Sequence, residues 1–112
     1  MENCIFCKIL KKEIPGKLVY EDDQVAAFND IAPQAPTHIL IIPKQHVDSL
    51  ADLADEAIMG ELFRVAIKLA KDLGLDKQGF RTVINNGKAA GQAVDHLHVH
   101  LLGGRAFDWP PG

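Results

Sequence analysis

The chain has 112 residues, 47% hydrophobic and 24% charged, a composition that predicts a single globular domain over 1–112. A net charge of −3, with no basic run beyond Lys11-Lys12, argues against a nucleic-acid partner. No apolar stretch approaches the roughly 20 residues that span a bilayer, and Met1-Glu2-Asn3-Cys4 lacks the start of a signal peptide; the expectation is a cytoplasmic protein with no membrane partner and with Cys4 and Cys7 reduced.

In "CIFCKILKK", Ile5, Phe6, Ile9 and Leu10 recur at helical spacing, and lysines occupy the last turn, where cations complement the helix dipole. A short amphipathic helix is predicted, stopped by Pro15-Gly16. "KLVYED" and "QVAAFND" read as two strands joined by an acidic turn at Asp22-Asp23. In "IAPQAPT", Pro33 and Pro36 fix two φ angles and make a rigid connector. "HILIIP" is a nearly all-apolar strand, central and buried on both faces, ended by Pro43.

Ser49 with Asp52 three residues on resembles a capping box at the start of a long helix. Ile58, Leu62, Val65, Leu69 and Leu73 form its apolar stripe, and Gly74 stands where a C-terminal glycine belongs. "FRTVINN" is another strand, and "NNGKAAGQAVD" a turn-rich passage leading into "DHLHVHLLGG". The order of elements makes an α+β fold with a mainly antiparallel sheet.

The passage "DHLHVHLLGG" holds three of the five histidines within five residues. Alternate side chains of a strand point to opposite faces, so His96, His98 and His100 share one face, spaced by roughly 6.6–6.8 Å, while Leu97, Val99 and Leu101 point into the core. Three readings of the imidazoles stand: a polar sheet face, a metal site using histidines two apart, or nucleophilic and acid–base chemistry near pH 7. Ser49 is the one serine, and Thr37 and Thr82 the only threonines, which leaves a serine triad unsupported. An attacking side chain would then be histidine, with phosphorus as a suitable electrophile. Asn85, Gly87, Gly91 and Gln92 lie just upstream; glycines let backbone amides approach an anion, so the stretch is either a surface turn or a phosphate cradle. "CIFC" has a zinc-like spacing, or is two half-buried thiols.

"HLHVHLL" has the pattern His-apolar-His-apolar-His-apolar-apolar of the histidine triad (HIT) family. The resemblance extends to "IFCKILKKEIPGKLVYEDDQVAAFNDIAPQAPTHILIIPKQH", "DLGL", "GQAVDHLHVHLLGGR" and "WPPG", and is closest to the nucleotide-binding, Hint-like branch. It implies a five-stranded sheet with one long and one short helix, continued across a homodimer. It also implies a purine nucleoside phosphoramidase acting on AMP or GMP phosphoramidates and aminoacyl-adenylates. In that reading His98 attacks phosphorus to form a nucleotidyl-histidine, His100 and His38 complete the hydrogen-bond network, and His96 supports the strand. No metal is needed for that chemistry.

The resemblance places Asp30 at the ribose and Ile5, Phe6, Ile9, Phe28, Asn29 and Ile31 around the base. It places Asn85, Gly91, Gln92 and Ala93 on the phosphate side, and Trp109 in a tail reaching the partner's site. Cys4, Cys7, His46 and His96 would form a structural zinc site. Ala93 and Asp95 depart from relatives that carry Ser and Tyr there, which bears on rate. The alternative function is a nucleotide-binding regulatory protein with incidental hydrolysis.

Overall fold

In the computed structural model, which describes residues 3–112, the alternating apolar segments assemble into one antiparallel sheet. Met1 and Glu2, part of the segment read above for a signal peptide, lie outside the described residues. The elements are α1 (Ile5–Leu10), β1 (Leu18–Glu21), β2 (Val25–Asn29), β3 (Thr37–Pro43), α2 (Ala57–Asp72), α3 (Leu75–Gln78), β4 (Phe80–Val83) and β5 (Val99–Gly103). The strand order is β1-β2-β3-β5-β4, so the apolar β3 is central, as its composition predicts.

The two faces of the sheet are covered differently. Val25, Ala27, Ile39, Ile41, Val99 and Leu101 pack against Leu62, Val65, Ala66 and Leu69 of α2. On the other face, Ala26, Phe28, Leu40 and Ile42 pack against Phe6 of α1. Leu97 joins the first layer, so the alternation through 97–101 holds. The imidazoles opposite are not a solvated polar face: His96 is fully buried, and His98 and His38 are each 5% exposed.

Several boundaries differ from those the sequence predicts. The helix α1 ends at Leu10, with Lys12 at φ 62°, before Pro15-Gly16 is reached. Ser49 caps no long helix: its hydroxyl donates to Asp52 Oδ2 at 2.7 Å beside a short 3-10 turn over Leu50–Asp52. The helix α2 starts at Ala57, whose N–H is taken by Asp55 Oδ1 at 3.0 Å. Leu73 follows the last turn and stays half-exposed, while Ala66 and Ala70 complete the buried stripe. Gly74 adopts φ 74°, the left-handed conformation its place after a helix calls for, and the short α3 follows it. Regular pairing of the histidine segment begins at Val99, so His96 and His98 sit in the extended approach to β5. That approach is anchored by Leu97 N–H, which donates to Val47 O at 2.7 Å. Among the described residues no helix is long and apolar enough to cross a membrane.

Candidate active site and metal centre

A single row of paired residues crosses four strands: Leu18 faces Phe28, Phe28 faces Leu40, and Leu40 faces His100. With neighbouring strands about 4.8 Å apart, the row is roughly 14 Å long. Above it lies a cavity of about 600 Å³ between the sheet and α1. Ile5, Phe6, Ile9, Phe28 and Leu40 line its apolar part, and Asn29, Asp30, His98 and His100 supply polar groups. The ring of Phe6 stands edge-on to His98 at 5.2 Å and to Phe28 at 5.2 Å. The helix thus braces an imidazole and walls the cavity at once.

Fixed hydrogen bonds decide where the ring protons are. His98 Nδ1 lies 2.7 Å from the carbonyl oxygen of His96 and must donate to it, so in the neutral ring the lone pair is on Nε2. The Gln34 N–H donates to His38 Nδ1 at 3.0 Å, so the proton of a neutral His38 is on Nε2. From there it points to His100 Nδ1 at 2.9 Å, with Asp30 Oδ2 at 3.4 Å. His100 therefore accepts at Nδ1 and carries its own proton on Nε2. Burial pushes His100 down to about 4, reinforced by the neighbouring His98 and His38, and burial also lowers His38 against the pull of Asp30. Near neutral pH both rings are uncharged. The result is one imidazole with a free lone pair beside another with a free N–H.

A second group of side chains joins α1 to the approaches of β5. His96 Nδ1 lies 3.3 Å from Cys4 Sγ and 3.6 Å from Cys7 Sγ, and His46 Nδ1 lies 3.3 Å from Cys7 Sγ. The four ligand atoms lie within 4.8 Å of one another. The other ring nitrogens are engaged: His96 Nε2 donates to Pro43 O at 2.8 Å and His46 Nε2 to Asp48 Oδ1 at 2.6 Å. Both Nδ1 lone pairs are thus turned toward the thiols, the arrangement outer partners give metal-ligating histidines. Tetrahedral zinc with Zn–S near 2.3 Å and Zn–N near 2.0–2.1 Å sets S···N edges of roughly 3.5 Å, which the cluster already matches. Burial, with Cys4 as neighbour, holds the Cys7 thiol up at about 11, and burial pushes His96 down to about 4, keeping its ring neutral.

Asp30, His38 and His100 also come within 4.8 Å of one another, yet they make a poor metal site. His38 Nδ1 already accepts the Gln34 N–H, so binding a metal through Nε2 would require an imidazolate. The donor chemistry separates the two clusters where distance alone does not.

The model of the HIT domain matches residues 11–107, nearly the whole chain. The chain belongs to the HIT family. A maize relative, the 14 kDa zinc-binding protein of Zea mays, is 57% identical over 113 residues, covering 96% of this chain and 87% of its own. A HIT family hydrolase from Legionella pneumophila superposes with a TM-score of 0.95 at 49% identity, covering 98% of this chain and all of that one. A histidine triad nucleotide-binding protein from Candida albicans superposes with a TM-score of 0.85 at 38% identity over 96% of this chain and 83% of its own.

Of the residues the HIT resemblance singles out, Ile5, Phe6, Ile9, Phe28, Asn29, Asp30, Ile31, Ala93, His98 and His100 line the cavity. His38 lies behind His100, and His96 turns toward the cysteines. Asn85, Gly91, Gln92 and Trp109 stand outside the cavity wall. The Gln92 side chain is occupied in shaping its own loop, accepting from Gly87 N–H and donating to the carbonyls of Asp48 and Val94. Trp109 is 83% exposed. Sequence reasoning missed Ile14, Pro15, Gly16, Lys17, Leu40 and Val94 in the wall, and Gln34 and Asp48 behind the rings. Leu40 was within reach, since it shares strand parity with His38. Gly16 could not be placed in advance: a Cβ there would meet Ile9 Cγ2 at 2.5 Å, which is how the loop closes over α1.

Proposed function

We propose that this HIT protein is a purine nucleoside phosphoramidase, a single domain over 1–112 that works as a cytoplasmic homodimer. The observation that carries the reading is the 2.7 Å bond from His98 Nδ1 to the His96 carbonyl, which leaves a lone pair on Nε2 in a cavity wall. A neutral, oriented imidazole is a competent nucleophile at phosphorus. The cavity offers an apolar slot for a purine, Asp30 for the ribose hydroxyls, and an N–H on His100 Nε2 for a phosphoryl oxygen.

In the first step His98 Nε2 forms a bond to the phosphorus of AMP or GMP phosphoramidate while the P–N bond breaks. The phosphoramide nitrogen, protonated by solvent, leaves as the neutral amine, and His98 carries the nucleotidyl group as a cation with its Nδ1 proton still on the His96 carbonyl. Water then attacks phosphorus, the P–Nε2 bond breaks, and His98 returns neutral; one proton of the water stays on the departing nucleoside monophosphate and the other goes to solvent, replacing the one the amine took. Aminoacyl-adenylates react at the same phosphorus, with the P–O bond to the acyl group breaking and the amino acid leaving as its carboxylate. His100, uncharged, acts as a hydrogen-bond donor throughout and transfers no proton.

Cys4, Cys7, His46 and His96 hold a structural zinc ion, a reading supported by their donor set and by the name of the maize relative. Four protein ligands leave it no open position for substrate, so it supplies cross-linking of α1 to the 46–48 and 96 segments.

The test is incubation with an adenosine phosphoramidate followed by intact mass and peptide mapping. An adenylyl adduct on His98, with turnover lost in His98→Ala while AMP still binds, is the expected result. Turnover that persists in His98→Ala removes the mechanism. AMP binding by the wild type with no turnover of any phosphoramidate would instead leave a nucleotide-binding regulatory protein.

A further inference from the structure

The proton positions on His38 and His100 depend on a backbone N–H that no strand ladder holds. Gln34 lies in the connector between β2 and β3, flanked by Pro33 and Pro36. Its N–H fixes His38 Nδ1 at 3.0 Å, and its side chain only closes a local turn onto Ala32 O at 3.0 Å. Asp30 N–H ties the start of this connector to His38 O at 2.9 Å, and its middle is held from 71 residues away: Arg105 Nε donates to Gln34 O at 2.9 Å.

Arg105 is itself aimed. Its guanidinium lies over the Phe107 ring at 4.2 Å, and one terminal nitrogen donates to Ala106 O at 2.9 Å. Arg81 approaches the same ring at 5.0 Å and donates to Asp108 O at 2.9 Å, tying that segment to β4. The preceding residue, Gly104, sits at φ 91° with an added Cβ only 2.9 Å from Pro36 Cβ. The exit of β5 therefore packs directly on the connector, and Arg105 grips its middle.

We propose that Arg105 is a positioning residue: through Gln34 it sets which nitrogen of His38, and thereby of His100, carries the proton. The two tautomers of a neutral imidazole are close in energy; the Gln34 N–H at Nδ1 and the Asp30 carboxylate 3.4 Å from Nε2 both favour the proton on Nε2, and losing the first weakens that preference. If Gln34 drifts, His38 Nδ1 loses its donor and the ring can place its proton there. His38 Nε2 then turns a lone pair on the lone pair of His100 Nδ1. His100 must shift its proton to Nδ1, and the N–H facing the cavity disappears. The tautomers are a property of the fold; only their consequence for turnover rests on the phosphoramidase reading.

The test is long-range ¹H–¹⁵N correlation of the imidazole nitrogens in the full chain, with steady-state kinetics beside it. The wild type should show His38 and His100 protonated at Nε2 and His98 protonated at Nδ1. Arg105→Met, which removes the donors and keeps the aliphatic stem, should mix the tautomers of His38 and His100. His98 should not change, since its partner is the His96 carbonyl. Against an adenosine phosphoramidate, kcat should fall about tenfold with KM within about twofold. Arg105→Lys, which keeps one donor, should restore part of the loss. Wild-type tautomers in Arg105→Met overturn the proposal whatever the activity, and so does mixing that spreads equally to His98. A wild type without phosphoramidase activity would refute the functional reading while the tautomers still decide this one. Should Arg105→Met fail to fold, Phe107→Leu removes the stacking ring and is read in the same way: mixed tautomers uphold the proposal, unchanged ones overturn it.

Discussion

His38 and His100, 62 residues apart in the chain, meet ring to ring with Nε2 of one 2.9 Å from Nδ1 of the other. That contact fixes which nitrogen of His100 is left to donate into the cavity. Removing His38 frees His100 Nδ1 without touching the Nε2 of His98, which the proposed mechanism makes the attacking atom. His38→Ala should therefore lower kcat for an adenosine phosphoramidate by about 10–100-fold and change KM little. A variant with full kcat would show that the His100 proton needs no such support.

The depressed histidines also make stability depend on acidity. Burial pushes His100 down to about 4 and lowers His38, whereas in the unfolded chain both titrate near the ordinary 6.5. Between those limits the unfolded chain binds more protons than the folded one, so stability is full above about pH 6.5 and is lost as pH falls toward 4. The slope is at most about 1.4 kcal/mol per pH unit for each such histidine. Denaturant midpoints from pH 7.5 to 5 should fall, and should fall less steeply in His100→Gln, which cannot titrate. Parallel profiles for the two proteins would assign the acid sensitivity to other groups.

Much of this arrangement is legible in the sequence because it follows strand parity. The alternation through 97–101 sorts Leu97, Val99 and Leu101 from the histidines, and the apolar run Ile39–Ile42 announces a central strand. Burial of the imidazoles is not legible in the same way. Alternation assigns a side chain to a face, and only the arrival of Phe6, 5.2 Å from the His98 ring, shows that the face is covered. The start of α2 was misplaced because Ser49 and Asp52 satisfy each other instead of a helix end. Gln34 was invisible for a different reason: it acts through its backbone N–H, which leaves no mark on residue type.

Metal removal should affect the frame before it affects the cavity beside α1. Cys7 is buried and its sulfur reaches the Nδ1 of both His46 and His96, while the cavity-lining His98 points its nitrogens elsewhere. Zinc that binds only the folded state stabilises it by about 2.7 kcal/mol at a free concentration a hundred times its Kd. A chelator should lower the melting temperature of the wild type, and zinc should restore it. Cys7→Ser should melt lower and ignore both additions, with AMP affinity nearly unchanged. A melting temperature indifferent to chelator in a protein carrying one equivalent of zinc would place the ion elsewhere.

Gly103 is where the strand bearing His100 leaves the sheet, paired with Thr37 on one side and Phe80 on the other. A Cβ added there would stand 2.7 Å from Leu75 Cδ2 and 2.8 Å from Leu75 Cδ1. Leu75 is 6% exposed and belongs to the core beneath α2, so its tip has no solvent to swing into. Gly103→Ala should cost about 1–3 kcal/mol as overpacking, read as a lower denaturant midpoint at unchanged m-value. Because the clash is with the branch of Leu75, a Leu75→Val background should absorb part of that cost, which a double-mutant cycle measures. Equal costs in the two backgrounds would locate the strain in the β5 backbone instead.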